Sequence, residues 1–252
     1  MSEDRVYLDY NSTCPLVGPC KKSMIETLSV FGNASSVHFD GRRVRALIEK
    51  SREEIAFAVD TEPDNIFFTS GASEAAAQLL RDQNCICAEV EHSCVKAWCD
   101  TSLEVSTNGQ IKVGDLNRSC VQLANSETGI LQELQYGIYM SDIVQAVGKI
   151  DVSFKSLKVR SAIISAHKFG GPQGIGAVLT EPNFELNPQI TGGGQEKGYR
   201  SGTENLIAIV GFGAAMKFAK KQLDDGVWEK TKELRDFLED EVANTSSNTI
   251  FI

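Results

Sequence analysis

No stretch of this chain is apolar for long enough to cross a bilayer. The nearest approach, residues 207–216, is short and interrupted by glycine. Positive charge is also scarce: Lys and Arg number 25 against 34 Asp and Glu, for a formal net charge of -9. No basic stripe stands out, which argues against nucleic acid or an anionic membrane as partner. The N-terminus, Met1-Ser2-Glu3-Asp4-Arg5, lacks the apolar run of a secretory signal, so the expected location is the cytoplasm. Cysteine is missing from the second half altogether. The seven that exist, at 14, 20, 85, 87, 94, 99 and 120, are odd in number and are expected to be reduced. Cys85, Cys87, His92 and Cys94 have none of the usual two-residue-gap zinc spacings, so no metal is expected and buried strand cysteines are the plainer reading.

At 252 residues, with 42% apolar and 23% charged positions, the chain is long enough to bury a sizeable core. Strand-like runs alternate with amphipathic stretches, the pattern of an α/β fold with a mainly parallel sheet. The strand readings are 6–10, 66–69, 85–90, 121–124, 138–140, 162–164 and 178–179, with 248–252 as the start of another. Helices are expected over about 19–30, 42–59 and most of 206–242. Only the twelve residues 130–141 separate Gly129 from Asp142, where a crossover helix needs about 10–12.

Polar clusters follow these runs at 70–73, 125–129, 142–145 and 165–168, with His92 as a fifth, and in a parallel sheet such ends converge on one edge. Lys168 closes the apolar run Ala162-Ile163-Ile164 and precedes the glycine-rich turn 170–176. A desolvated lysine offers a neutral amine to a carbonyl, although a surface lysine in a flexible loop fits this stretch equally well. Ser70-Gly71-Ala72-Ser73 opens a helix, where free N–H groups suit a phosphate; ordinary capping by serine is the alternative.

Taken together the motifs resemble the cysteine desulfurases of the NifS/IscS type, class V aminotransferases with the type I fold of pyridoxal phosphate enzymes. The resemblance rests on Tyr-Leu-Asp-Tyr at 7–10, Thr-Ser-Gly-Ala-Ser-Glu at 69–74, Glu-His at 91–92 and Asn-Ser-Glu-Thr-Gly at 125–129. It continues through Asp-x-x-Gln at 142–145, Ser-x-His-Lys at 165–168, and Gly-Gly-Gly-Gln-Glu with Arg-Ser-Gly-Thr across 192–203. It implies pyridoxal 5'-phosphate held covalently by Lys168, with His92 stacked on the ring and Asp142 pairing the ring nitrogen. Gln145 would meet the phenolic oxygen; Ala72, Ser73, Ser165 and His167 would surround the phosphate. Asn125 and Ser126 would flank the cofactor, with Ser126 standing where the family usually has asparagine. Thr203 would come from the partner subunit of a homodimer.

The implied reaction takes L-cysteine to L-alanine and hands the sulfur to an acceptor or an iron–sulfur scaffold protein. The family's persulfide cysteine and its carboxylate-gripping arginine lie in a C-terminal domain that has no counterpart in these residues. The resemblance therefore implies a large domain over 1–205, the beginning of a truncated small domain over 206–252, and impaired turnover. A relative that binds cofactor, or dimerises with a full-length desulfurase without transferring sulfur, is the alternative.

Overall fold

The computed structural model describes residues 6–246. Its elements in chain order are α1 (Gly18–Thr27), α2 (Phe39–Ala58), β1 (Ile66–Thr69), α3 (Ala72–Leu80), β2 (Ile86–Ala88), α4 (Ser93–Lys96), β3 (Asp100–Leu103), β4 (Ser141–Asp142), α5 (Phe154–Leu157), β5 (Ser161–Ser165), β6 (Gly176–Thr180), α6 (Leu206–Asp224) and α7 (Val227–Thr245).

β1, β6, β5 and β4 lie side by side in that order. Past β4 the ladder continues through residues 119–123, which bond Val121 N–H to Met140 O and Leu123 N–H to Asp142 O. It then reaches β2, where Cys120 N–H donates to Ile86 O, and ends on β3. β6 runs antiparallel to both its neighbours. Every other junction in this sheet is parallel. The sheet is thus mainly parallel, and the C-terminal ends of β1, β2, β4 and β5 share one edge, the arrangement that gathers loops into a site.

Alternation along the strands explains the layers. Ile66, Phe68, Ala162, Ile164, Ala177 and Leu179 face a core with α2 and α6 residues such as Ile48, Ile55, Ile209 and Phe212. Their neighbours Phe67, Ile163 and Val178 face the other way, onto Ala75, Ala76, Leu79 and Leu80 of α3. A sheet buried on both faces needs such continuous apolar runs. Cys85, Cys87 and Cys120 belong to the second cluster, as small apolar side chains do.

Several expected elements differ. Residues 6–10 form no strand; Tyr7 instead turns its hydroxyl onto Asp9 O and Thr13 O, which folds the segment back on itself. The 85–90 run yields only three strand residues, because Glu91 N–H turns back to Ala88 O. No helix fills 130–141, where Gly129 and Gly137 at positive φ bend the chain through a loop. The helix expected over 206–242 is broken at Gly226, at φ 69. α6, expected to open a second unit at residue 206, buries Ala208, Ile209, Phe212, Ala215 and Met216 in the main core, while α7 has no fully buried residue. The strand expected at 248–252 lies outside the described residues.

Candidate active site

At the sheet edge a cavity of about 440 Å³ opens among the loops that follow β1, β2, β4 and β5. Lys168 enters from the turn after β5, Asp142 from the end of β4, and His92 from the turn after β2. Ala72, Ser73, Ser126, Gln145, Ser165 and His167 also stand on its walls. Nine of the eleven expected residues thus line one cavity, and Asn125 and Thr203 do not. Asn125 is buried and turned away: its Oδ1 caps the N–H groups of Glu127 and Thr128, and its Nδ2 donates to Val90 O. Thr203 lines a neighbouring cavity with Arg200 and Glu204.

Asp142 is the electrostatic centre. It is 8% exposed, and its Oδ1 accepts from Val144 N–H at 2.9 Å. No Lys, Arg or His among the described residues comes within ion-pair distance of it. Burial raises its pKa, against the pull of the Val144 bond and of the positive potential from His92 and Lys168. A buried carboxylate without a paired cation suits a protonated ring nitrogen. Glu91, buried beside it, accepts from Gln122 N–H at 2.7 Å through one oxygen, while its other oxygen has no partner. Burial, then the neighbouring Asp142, pushes the Glu91 pKa well up.

Burial likewise lowers the pKa of Lys168, opposed by Asp142, Asp9 and Glu127. His167 is held down by burial and by the charges of Lys168 and Lys149. His92 accepts from Cys94 N–H through Nδ1 at 3.2 Å, which places its neutral-form proton on Nε2. Cys94 itself, with Sγ 3.0 Å from that nitrogen, stands on the cavity wall. Sequence reasoning placed it near His92 but not in the site; its position two residues along the same turn was the available signal.

The rim formed by β1 and α3 fits a phosphate. Gly71 at φ 155 turns the chain into α3, whose first N–H groups, at Ala72, Ser73 and Glu74, precede any intrahelical partner. Glu74 braces this turn by accepting Ser70 N–H at 2.8 Å and Arg200 Nε at 2.8 Å. A Cβ on Gly176 would meet Gly71 Cα at 2.9 Å, so the strand behind must also be bare. Lysine, buried carboxylate, imidazole and free amides therefore match the reactive, cationic, flat and anionic parts of pyridoxal phosphate.

The aminotransferase class-V family model matches residues 6–251. The chain is 36% identical to the cysteine desulfurase IscS of Dictyoglomus turgidum, over 96% of its own length and 71% of the relative's. Among solved structures, a NifS-like protein from Rickettsia africae superposes with TM-score 0.85 at 30% identity, covering 96% of this chain and 76% of that one. SspA in complex with cysteine gives TM-score 0.76 at 28% identity, covering 84% and 72%.

Proposed function

The chain belongs to the class-V aminotransferase family, whose members work with pyridoxal phosphate, and on that premise we propose that it is a pyridoxal-phosphate-dependent cysteine desulfurase. It would take L-cysteine to L-alanine and pass the sulfur to an acceptor. The observation that carries this is the shared opening of Lys168 and Asp142 on one cavity, beside the free amides of α3. When bound, the cofactor supplies an electron sink for the carbanion formed next to the substrate amine.

The chain's own residues would do the rest. Lys168 Nζ would anchor the cofactor and, once released, move the proton at the substrate Cα, a task favoured by the burial that lowers its pKa. Asp142 would keep the ring nitrogen protonated, and His92 would cover a ring face. Ser73, Ser165, His167 and the amides of Ala72 to Glu74 would hold the phosphate. Gln145 would reach the phenolic oxygen only after giving up its bonds to Asn11 O and Lys149. Thr203 of a second copy would complete the phosphate site of a homodimer.

Cys94 is the thiol on the cavity wall, but burial and Asp142 push it up to about 12. It would hold its proton rather than attack sulfur, so the sulfur is expected to leave on a thiol other than this one. The test is reconstitution with pyridoxal phosphate, followed by borohydride reduction and peptide mapping. A cofactor mass on Lys168, together with alanine formed from L-cysteine in the presence of an added thiol, supports the proposal. Cofactor fixed at Lys168 without alanine would instead identify a binding-only relative, and no cofactor at Lys168 would overturn both readings.

A further inference from the structure

Lys168 is not free in its cavity. Its Nζ donates to Asn11 O and to Ser12 O, each at 2.8 Å. The turn that carries these carbonyls is pinned by four further contacts. Asn11 Nδ2 donates to Ser126 O, Gln145 Nε2 donates to Asn11 O at 3.0 Å, Thr13 Oγ1 lies 3.1 Å from His167 Nδ1, and Cys14 N–H donates to His167 O at 2.8 Å. Negative potential from Asp142, Asp9 and Glu127 reaches the same nitrogen. Lys149 and His167 are the nearby opposing groups. Two preset carbonyls in a field of carboxylates recognise a particular chemistry: a cation with at least two N–H donors.

The hydrogen-bond accounting shows what happens when Lys168 is used elsewhere. Asn11 O already takes a second bond from Gln145, but among the described residues Ser12 O takes only that of Lys168. A lysine nitrogen doubly bonded to a carbon carries at most one hydrogen, too few for both carbonyls. At least one acceptor is then open, at the mouth of a cavity meant for an amine.

We propose that the Asn11–Ser12 turn is a primary-ammonium subsite, occupied by Lys168 in the cofactor-free chain and by the α-ammonium group of the amino-acid substrate while Lys168 is engaged. The second occupant rests on the cofactor reading of Lys168; the first does not. No covalent bond forms at the turn. Its selectivity is for N–H donors, so a quaternary ammonium of similar charge has nothing to offer it.

The experiment uses the cofactor-free chain. In Lys168→Ala, ethylammonium chloride should shift the amide resonances of residues 11–14 saturably and slow exchange of the Cys14 amide, whereas tetramethylammonium chloride at equal ionic strength should not. The wild type and Lys168→Met, in which a side chain fills the space, should not respond. Equal effects of the two salts, or a wild type that responds like Lys168→Ala, would overturn the proposal. A second arm does not depend on that variant folding. Asn11→Ala, at an exposed position, removes the anchor to Ser126 and should speed labelling of Lys168 by trinitrobenzenesulfonate by about fivefold, the worth of one neutral hydrogen bond holding the turn; an unchanged rate would count against the subsite. Neither arm contains cofactor or cysteine, so its failure leaves the desulfurase reading standing, and absence of alanine formation would leave the Lys168 contact standing.

Discussion

Arg52 and Glu196, 144 residues apart, meet in a buried two-pronged ion pair, Nη2 to Oε1 at 2.7 Å and Nη1 to Oε2 at 2.8 Å. Both side chains are nearly sealed from water. Glu196 Oε2 also accepts Phe68 N–H, and Arg52 Nη1 also donates to Ile66 O. The pair therefore clamps the 192–203 loop to β1, and Arg200 with Glu74 makes a second clamp beside the turn that opens α3.

Removing one member of a buried pair costs about 3–5 kcal/mol when the charge is stranded. Here Glu49 Oε2, half-exposed and 3.0 Å from Arg52 Nε, keeps part of the compensation, which sets the expected loss at the low end, about 3 kcal/mol. Glu196→Ala should lose that much stability in urea melts. Arg52→Met combined with Glu196→Leu removes both charges and should recover a large part of it. A double variant as unstable as the single one would show that shape, not the stranded charge, sets the cost.

Gly71 holds φ 155 in open space, since nothing lies within 4 Å of a Cβ built there. Gly71→Ala is therefore disfavoured by backbone strain alone, about 1–3 kcal/mol. Because Gly71 aims the first amides of α3, the variant should lose affinity for pyridoxal phosphate by about tenfold and lose far less for pyridoxal, which has no phosphate. Absorbance titrations with both compounds decide it, and equal losses would remove the phosphate from this turn.

The parts of the fold legible in the sequence are those fixed by local physics. β1, β5 and β6 are apolar runs buried on both faces, and Ser70-Gly71 before Ala72 announces a helix start. What escaped depends on distant partners. Val6 to Tyr10 has strand-like residues but finds no ladder, because Tyr7 bonds within its own turn. Asn125 and Ser126 are adjacent and polar, yet only the turn geometry decides that Ser126 faces the cavity while Asn125 caps Glu127 and Thr128. The Arg52–Glu196 clamp has no local signature at all.

Cys94 offers a direct reading of the field inside the cavity. With its pKa pushed up to about 12, only about one thiol in ten thousand is ionised at pH 8. Iodoacetamide should therefore modify Cys94 far more slowly than a free cysteine. Asp142 is the second cause of the rise after burial, so Asp142→Asn should speed the reaction several-fold. Peptide mapping after timed alkylation measures both. Alkylation at the rate of free cysteine in the wild type would mean that the thiol is not buried beside that carboxylate.

Lys149 gives the chain a stability that rises with pH. Burial, aided by the charge of Lys168, lowers its pKa from the ordinary lysine value of 10.5 to about 8. Between about 8 and 10.5 the unfolded chain binds more protons at this site than the folded one, so stability rises through that window. Below it both states carry the charge and the folded state bears the full cost of burying it; above it neither is charged and the cost is gone. The complete shift would correspond to about 3.4 kcal/mol, and partial solvent access reduces this to about 1–2 kcal/mol. Lys149→Met should thus exceed the wild type in urea midpoint most at pH 7 to 8, with the difference shrinking by pH 10.5. Loss of the contact with Gln145 opposes this gain, and by less as Lys149 deprotonates and the bond loses its charge assistance; a difference constant across the range would refute the buried-charge account. Lys168→Met should raise the lower edge of the window, because it removes the neighbouring charge that helps to hold Lys149 down.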